Sequence, residues 1–439
     1  MYILAADFGT SSIKAGVYTE DLTEVCTAKA SYDYQVSGLQ AQIDAGVMYE
    51  GFLKCLRAMG EWLRKIDIVA IDNFSPSVIA MDREGEALYP CIIHLDRRSY
   101  PQSRYALKCL PKETFLKING NLPFAGGISL TSILWLMQNE PETAAKTFCY
   151  GHLNTYVLKK LTGRFLIDPA NASFTGLYET FSGKGWSPEL TGALGIDAKK
   201  LPQIQHSLTL AGKITAKAAK ETGLPEGLPV LMGANDSASA AYGAGAVHSG
   251  DIMNISGSSE IMTVTTDHPV PNPKFYCRTS VEADKWLYLC ITVGGFAMEW
   301  FRRVFCQDMD KDTFYGKYIA EVTSSQETGD VRFLPHLSGD RHSLVKKKGS
   351  FSGLTMDTTR EEMLRALVKG TFDPMTTSLK IIGKTTPLNK QVFLTGGVVS
   401  PAYQHFKELA FEGYSFSMRS NCSLLGATKA AIRTLNEQR

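Results

Sequence analysis

Two short apolar runs at the start of the chain flank a polar loop. The runs are Tyr2–Ala6 and Ile13–Tyr18, and the loop between them carries a carboxylate, a glycine and three hydroxyl groups. Short apolar runs bounded by turn residues predict a strand, a tight loop and a second strand. A related pattern occurs far downstream, where Ile252–Ser256 and Met262–Thr265 flank a loop that starts at Gly257. Because both loops contain G-[TS]-S-x-I, the repeat indicates two lobes of similar architecture.

Strand and helix patterns alternate along the rest of the chain. Strand patterns occur at three further places: Val25–Tyr34, Ile66–Ile71 and Gln391–Thr395. Helical periodicity is clearest in two segments: the one that Asp44 can cap, which runs to Leu63, and Arg360–Gly370. Such alternation is typical of an α/β protein.

The first loop has a composition that suits phosphate and a metal ion. Asp7 supplies a carboxylate, and Gly9 lets a ligand approach the backbone. Thr10 and Ser11 add hydroxyl groups, and the ammonium group of Lys14 lies just beyond them. A hydroxyl-rich hairpin turn is the alternative, because Gly, Asp and Ser are common turn residues.

Asp236 follows the strand predicted at Val230–Met232, within a run of small residues that lets backbones approach closely. Two roles fit this position. As a helix N-cap, the side chain would bond to free backbone amides and do no chemistry. As a catalytic base, it would have to reach a substrate hydroxyl directly.

Polar residues also follow two other apolar segments. Ser75, Pro76 and Ser77 come after the strand predicted near residue 70, where polar groups are well placed to bind a small molecule. Asp96 and Arg98 can fix the hydroxyl groups of a polyol, because ionised partners form directional hydrogen bonds. A plain loop and a structural ion pair are the alternatives.

Glycines follow strands at three junctions in the second half of the chain. They are Gly257 with Ser258, the pair Gly294 and Gly295, and the pair Gly396 and Gly397. Together their backbone amides can surround a nucleotide, although glycine pairs also form ordinary turns.

Composition narrows the class of protein. With 439 residues, of which 44% are hydrophobic, the chain can bury a large core in two or three domains. A net charge of +2, spread along the chain, gives no basic patch for nucleic acid or an anionic membrane. The nine cysteines never form C-x-x-C, which favours reduced thiols and a cytoplasmic location. No apolar run approaches the roughly 18 residues of a membrane-spanning helix.

Six motifs, taken in order, resemble those of the FGGY carbohydrate kinases. They are Asp7-x-Gly9-Thr10-Ser11-Ser12-x-Lys14, Gly233-x-x-Asp236, Gly257-Ser258-Ser259, Phe333-Leu334-Pro335 with Gly339-Asp340-Arg341, Gly349-x-Phe351-x-Gly353-Leu354 and Thr395-Gly396-Gly397. The resemblance covers nearly the whole chain. It implies an α/β, two-lobed actin/hexokinase-like (ribonuclease H-like) fold with mixed sheets flanked by helices. The ligands would bind in a cleft between a lobe of residues 1–243 and a lobe of residues 244–439.

The resemblance also implies ATP-dependent phosphorylation of a sugar hydroxyl with Mg²⁺. It assigns the catalytic base to Asp236, and the magnesium ion to Asp7 together with Asp236. The nucleotide contacts that it implies are Gly9, Thr10, Ser11, Lys14, Gly257, Ser258, Gly294, Gly295, Gly396 and Gly397. The sugar contacts that it implies are Ser75, Pro76, Ser77, Asp96, Arg98 and Asp236.

The sequence determines the identity of the sugar that accepts the phosphoryl group less well than it determines the fold or the reaction. The segments 171–186 and 190–201 look most like those of ketopentose kinases, with xylulose as the first choice and glycerol, gluconate and erythrulose as alternatives. A catalytically silent regulator that binds a sugar or a nucleotide is a further alternative, which the presence of both Asp7 and Asp236 argues against. We expect a small-molecule sugar as partner, no nucleic acid and no membrane, and we leave a homodimer open.

Several features depart from the family pattern: a lysine that is common before the Leu-Trp pair is absent from residues 129–135, the second lobe is shorter than usual, and three further positions differ. Ser258 stands where threonine is usual, and Val398 replaces the third glycine after Gly397. Lys369 replaces an acidic residue at the end of a helix. These departures bear on nucleotide affinity and leave the kinase interpretation unchanged.

Overall fold

A computed structural model describes the chain except for residues 258, 326, 338, 341, 345, 398–403, 405, 406, 409, 438 and 439. The strands are β1 (Tyr2–Phe8), β2 (Ser12–Thr19), β3 (Glu24–Ser31), β4 (Gln35–Ser37), β5 (Gln40–Ile43), β6 (Ile68–Asn73), β7 (Ser77–Met81), β8 (Cys91–Ile93), β9 (Cys149–Gly151), β10 (Leu166–Ile167), β11 (Gln203–Ile204), β12 (Leu210–Lys213), β13 (Pro229–Leu231), β14 (Ala234–Asn235), β15 (Ile252–Ser256), β16 (Ser259–Thr266), β17 (Tyr276–Thr279), β18 (Trp286–Val293), β19 (Arg332–Leu334), β20 (Ser350–Ser352), β21 (Gln391–Thr395) and β22 (Ser415–Met418). The α-helices are α1 (Ala45–Met59), α2 (Tyr100–Cys109), α3 (Lys112–Asn119), α4 (Leu130–Asn139), α5 (Pro141–Lys146), α6 (Leu153–Thr162), α7 (Pro169–Ser173), α8 (Pro188–Leu194), α9 (Ala216–Thr222), α10 (Asp236–Ala244), α11 (Gly295–Phe305), α12 (Lys311–Thr313), α13 (Ile319–Thr323), α14 (Arg360–Ile382) and α15 (Cys422–Glu437).

Two mixed sheets repeat one arrangement of strands. The first has the order β12-β13-β6-β1-β2-β3, with β14 beside β6, and the second has the order β17-β18-β16-β15-β21-β22. In the first sheet β1 pairs with β2 as the predicted hairpin and runs parallel to β6 on its other side. In the second sheet β15 pairs with β16 in the same way and runs parallel to β21. The two lobes that the hairpin repeat predicts are therefore confirmed.

A third sheet extends the first lobe towards the loops that precede β7 and follow β8. Its order is β4-β5-β8-β7-β9, and the pairs β4–β5, β5–β8 and β7–β8 are antiparallel. All of the side chains of β7 and β8 are buried, so packing in the core fixes the position of the loops at their ends. This sheet sets the position of Ser75 and His94 beside the cleft.

Local capping explains where the two predicted helices begin. The side chain of Asp44 accepts a hydrogen bond from the amide of Gly46, 2.7 Å away, as predicted for the cap of α1. At α14, Thr359 and Glu362 form a capping box. This helix continues beyond the predicted end at Gly370, because further residues of its apolar face remain buried up to Ile382.

The C-terminal helix α15 follows the second sheet in sequence but packs on α10 and on the first sheet. The two helices meet at Gly243 and Gly426, where a Cβ atom on either residue would overlap a backbone carbonyl oxygen of the other helix. Only glycine permits this close approach. The contact brings the start of α15 to the loop after β1, and it joins the two lobes on one side of the cleft.

Two further expectations concern compartment and membrane. All nine cysteines are free thiols. Within the described ranges, no helix combines the length and the apolar character that crossing a bilayer requires.

Candidate active site

Two cavities in the cleft share the carboxylate of Asp236. Cavity A has a volume of about 440 Å³, and its lining includes Thr10, Ser11, Tyr34, Phe74, Ser75, His94, Phe174, Asp236, Gly257, Ser259 and Phe296. Cavity B has a volume of about 720 Å³, and its lining includes Asp7, Gly9, Lys14, Asp236, Thr395, Gly396, Gly397, Arg419 and Asn421. Both lobes contribute to each cavity. A single carboxylate therefore faces a polar and aromatic cavity on one side and a glycine-rich cavity on the other.

Asp236 is the first residue of α10, and Asn235 occupies the N-cap position. The N-cap interpretation of Asp236 is therefore wrong by one residue, although its carboxylate still accepts a hydrogen bond from the Ser237 amide at 2.6 Å. Burial, together with the nearby charge of Asp7, raises the pKa of Asp236 to about 7. A carboxyl group with such a pKa can exchange a proton near neutral pH.

Asp7 lies next to a second carboxyl group that the sequence analysis did not select. The parallel register of β1 and β6 places Asp72 directly beside Asp7. The side chain of Asp72 is fully buried, and burial together with the Asp7 charge raises its pKa well above the ordinary value. Burial also raises the pKa of Asp7. Three carboxyl groups with raised pKa values therefore stand close together at this end of the cleft.

This concentration of carboxyl groups fits a divalent cation. A cation nearby favours the ionised form of each carboxyl group and so opposes the effect of burial, which is the main cause of their raised pKa values. Among the described residues, no group of three carboxylate, imidazole or thiol side chains is arranged to bind one ion. The arrangement thus suits Mg²⁺, which commonly binds one or two protein carboxylates and completes its shell with water and phosphate oxygens.

Lys14 faces cavity B from the first hairpin. It lies opposite Asp7 in the register of β1 and β2, and its ammonium group donates a hydrogen bond to the side chain of Asn421 at 2.8 Å. Asn421 has a left-handed backbone, with φ of 51°, immediately before α15. Arg419 adds a second positive charge to the same cavity. These cations oppose the three carboxyl groups and suit an anionic ligand.

The predicted nucleotide contacts do not all line one cavity. Gly9, Gly396 and Gly397 line cavity B, whereas Thr10, Ser11 and Gly257 line cavity A. Gly294 and Gly295 instead support the second hairpin loop: the Gly295 amide donates to the Gly257 carbonyl oxygen at 2.9 Å, and a Cβ on Gly294 would collide with the backbone of Ser259. Ser258 and Val398 lie outside the described residues.

Only some of the predicted sugar contacts lie at cavity A. Ser75 lines cavity A, and buried Pro76 follows it. Ser77 is fully buried, and its hydroxyl group accepts a hydrogen bond from the amide of Leu153 at 3.0 Å.

Asp96 and Arg98 form a buried ion pair of 2.7 Å inside the first lobe. The same carboxylate also accepts a hydrogen bond from the Ala41 amide at 2.7 Å. The hydrogen bonds of Ser77, Asp96 and Arg98 are therefore made to the protein itself, and the described lining of cavity A includes none of the three.

A buried polar network fixes the hydroxyl group of Ser75. This hydroxyl donates to the Asn171 side chain, whose amide nitrogen donates to Asp168 at 2.6 Å. Asp168 also accepts hydrogen bonds from the side chain of Asn154 at 2.8 Å and from the backbone amide of Asn171. Since the proton of Ser75 is used inside the network, its remaining lone pair is available to a ligand in cavity A.

We expect Ser75→Ala to raise the KM for the acceptor and to leave the KM for ATP unchanged. Loss of one neutral hydrogen bond is worth about 0.5 to 1.5 kcal/mol, so the rise should be roughly twofold to tenfold. Ser77→Ala is the matched control, because it leaves the Leu153 amide without its acceptor and should cost about 1 to 3 kcal/mol of stability instead. Initial rates and urea unfolding of both variants measure the contrast. Equal KM values in the two variants would contradict the assignment.

The raised pKa of Asp236 has a consequence for stability. Between about pH 4 and 7, folded Asp236 holds a proton that the unfolded chain has released, so its contribution to stability falls as the pH rises through this range. Asparagine carries no such proton. We therefore expect Asp236→Asn to be more stable, relative to the unmodified chain, at about pH 8 than at about pH 5. Urea unfolding at both values tests this, and an identical difference at the two would contradict it.

Comparison with known proteins agrees with this geometry. The N-terminal domain of the FGGY family of carbohydrate kinases matches residues 2–243. The chain belongs to this family. Its fold is the two-lobed actin/hexokinase-like fold, and as an FGGY carbohydrate kinase it is an ATP-dependent sugar kinase.

Individual relatives share the fold at low identity. The xylulose kinase of Staphylococcus xylosus is 25% identical over 408 residues, which cover 90% of this chain and 83% of the relative. The gluconokinase of Bacillus subtilis is 24% identical over 383 residues, which cover 84% of this chain and 74% of the relative. The ligand-bound structure of xylulose kinase from Lactobacillus acidophilus superposes with a TM-score of 0.90 at 21% identity, covering 99% of this chain and 90% of that one.

Several residues of the FGGY site were absent from the sequence predictions. Asp72 depends on the register between two strands that are far apart in sequence. His94, Phe174 and Phe296 reach cavity A from three separate loops or helices. Only Asn421 gave a local signal, since asparagine before a helical repeat is a common turn and cap residue.

Proposed function

We propose that this FGGY kinase transfers the γ-phosphoryl group of ATP to a hydroxyl group of a ketopentose, with xylulose as the first candidate. The observation that carries the proposal is the position of Asp236, which lines both cavity A and cavity B. A base that removes a proton from the acceptor must reach the acceptor hydroxyl and also lie near the phosphoryl group that it receives. In this proposal the sugar occupies cavity A and the nucleotide occupies cavity B.

The residues of the two cavities then have separate tasks. Asp236 accepts the proton of the attacking hydroxyl group, while Ser75 orients the sugar. Lys14 and the backbone amides of the first hairpin loop bind the phosphates, and Gly396 and Gly397 admit the nucleotide to the backbone. Magnesium, held by Asp7 together with Asp236, neutralises phosphate charge when it is bound. Phosphoryl transfer needs little beyond such positioning and charge neutralisation.

Cavity A and the relatives support a small polyhydroxylated acceptor. A volume of about 440 Å³ is large enough for a pentose, and hydroxyl and aromatic side chains are typical of sites that bind one. Relatives named as xylulose kinases match over 90% of the chain, which makes a ketopentose the first candidate. A sugar acid is the second candidate, because another relative is named as a gluconokinase.

Three further features belong to the same proposal. We place the boundary between the lobes at residues 243 and 244, near the end of α10. The nine free thiols favour a reducing compartment, so the reaction would take place in the cytoplasm. A homodimer is tested by the molar mass of the protein in solution.

An acceptor screen tests the proposal. Purified protein, ATP and Mg²⁺ are incubated with ketopentoses, aldopentoses, aldonates, glycerol and erythrulose, and ADP formation is followed. We expect ADP to form only when an acceptor is present, with xylulose among the active neutral sugars. Sugar binding without ADP formation in any reaction would instead favour the silent regulator, and ADP formation without sugar would favour a simple ATPase.

A further inference from the structure

A third cavity adjoins the proposed acceptor site. Cavity C has a volume of about 380 Å³. It shares four lining residues with cavity A, namely Leu95, Ser259, Ile291 and Phe296. The two cavities are therefore neighbours that share part of their walls.

Arg97 lines cavity C, and among the described residues no carboxylate lies within ion-pair distance of it; Asp96 and Asp340 act on its charge from farther away. Its side chain is only 7% exposed, and its Nη1 donates to the carbonyl oxygens of His94 and Asp96, both at 2.8 Å. Its Nε atom is buried without an acceptor in the part of the chain that the structure describes. A guanidinium group has five N–H donors, and a buried charge that is left unpaired is costly.

The acidic residues near Arg97 already have other partners. The carboxylate of Asp96 pairs with Arg98 at 2.7 Å. The carboxylate of Asp340 pairs with Lys347 at 2.6 Å and accepts from the His342 amide at 2.8 Å. Within the described ranges, no ion pair involves Arg97. Its charge is therefore available to an anion that enters cavity C.

A comparison with another buried arginine shows what is particular to Arg97. Arg278 also lacks a carboxylate partner among the described residues, but its guanidinium lies 4.1 Å from the ring centre of Phe174 and 4.6 Å from that of Tyr276. Both of its Nη atoms donate to backbone carbonyl oxygens, and it lines neither cavity A nor cavity C. Arg278 is thus a structural residue, whereas Arg97 faces a space that a ligand can enter.

We propose that Arg97 binds a carboxylate of the acceptor, so that the preferred substrate is a sugar acid whose hydroxyl group lies at Asp236 in cavity A and whose acidic end lies in cavity C. This inference rests on the proposed phosphoryl transfer and concerns only the acceptor: it places the sugar acid, the second candidate above, before the ketopentose, while the base and the phosphate loops keep their tasks. A neutral ketopentose fills cavity A alone. An aldonate or keto-aldonate fills both cavities and supplies a direct counter-ion.

The chemistry of cavity C favours a carboxylate over a phosphate. The two oxygens of a carboxylate match the planar guanidinium group and carry a single charge. Asp340 and Asp373 offset the charges of Lys274 and Lys347 in the same lining, so Arg97 leaves a single net positive charge, which one carboxylate balances. A monoanionic acid is therefore the better match.

The test compares acids with neutral sugars of equal chain length. Values of kcat/KM are measured for D-xylonate against D-xylulose and for D-gluconate against D-fructose, and D-gluconate binding is measured by calorimetry without ATP. Loss of a charged hydrogen bond in Arg97→Met should lower the preference for the acids by roughly tenfold to a hundredfold. Arg104→Met, which removes an exposed arginine from α2, is the matched control and should leave the preference unchanged.

A second variant keeps the bonds that Arg97 makes to its own loop. Thr377 is an exposed residue of α14 that lines cavity C, so Thr377→Glu adds a negative charge there without removing the arginine. We expect it to weaken the binding of D-gluconate and to shift the preference towards neutral sugars.

The outcomes separate the inference from the proposed function. Efficient phosphorylation of ketopentoses with no use of acids, and no change of preference in either variant, would overturn the inference while leaving a sugar kinase. Absence of ADP with every acceptor would overturn the proposed function. In that case D-gluconate binding that is lost in Arg97→Met would still support the anion site, and absence of binding would overturn it as well.

Discussion

Replacing Asp236 with asparagine is expected to lower kcat by roughly 10²-fold to 10⁴-fold, the range that a positioned general base contributes. Asparagine has nearly the same shape, and its side-chain oxygen can still accept the hydrogen bond from the Ser237 amide. It cannot, however, take a proton from the acceptor hydroxyl. The fold and the affinity for ATP should therefore persist while the chemical step fails. Single-turnover ADP formation and ATP calorimetry measure the two properties separately.

A matched control removes a carboxylate elsewhere in the same lobe. Asp33 is exposed and lines neither cavity, so Asp33→Asn should keep normal turnover. The stability difference between Asp236→Asn and the unmodified chain, which should shift in favour of the variant from about pH 5 to about pH 8, also separates lost chemistry from unfolding. Near-normal turnover in Asp236→Asn would reject the catalytic role of this residue.

Local pattern was sufficient to predict the strands that flank the two hairpin loops. The strand predicted at Gln391–Thr395 has the same limits in the structure, and the first hairpin pairs as expected. These elements are short, apolar and bounded by glycine or hydroxyl residues, so their sequence and their environment favour the same conformation. The end of α14 at Ile382 was not predicted, because burial against other elements determines it. The periodicity of the eleven predicted residues carries no information on that burial.

The residues of the site were predictable only where neighbouring residues in the sequence determine their position. Gly9, Lys14 and Asp236 stand at strand ends that the sequence marks clearly, and the structure brings them to one cavity. Asp72 was missed because its role depends on the register of β6 beside β1. Ser77 shows the opposite error: a polar residue near a strand end can face the protein interior as easily as a ligand.

A second large effect is expected at Lys407, which is fully buried and pairs with the equally buried Glu260 at 2.6 Å. Its ammonium group also donates to Ser256 at 2.6 Å and to Asn254. Glu260 follows the second hairpin loop, so this pair holds the base of that loop. Lys407→Met removes the ammonium partner of this buried carboxylate and should cost about 3 to 5 kcal/mol of unfolding free energy.

The double variant Lys407→Met with Glu260→Gln distinguishes lost charge balance from lost packing. Glutamine keeps a side-chain oxygen that can accept from Asn254, and the buried charge is gone, so most of the stability should return. Lys380→Met, on an exposed position of α14, controls for the removal of a lysine and should change stability by less than about 0.5 kcal/mol. Urea unfolding of all three variants provides the comparison. If the double variant is as unstable as Lys407→Met, the lysine contributes through its stem and not through the ion pair, and the second hairpin loop does not depend on this charge.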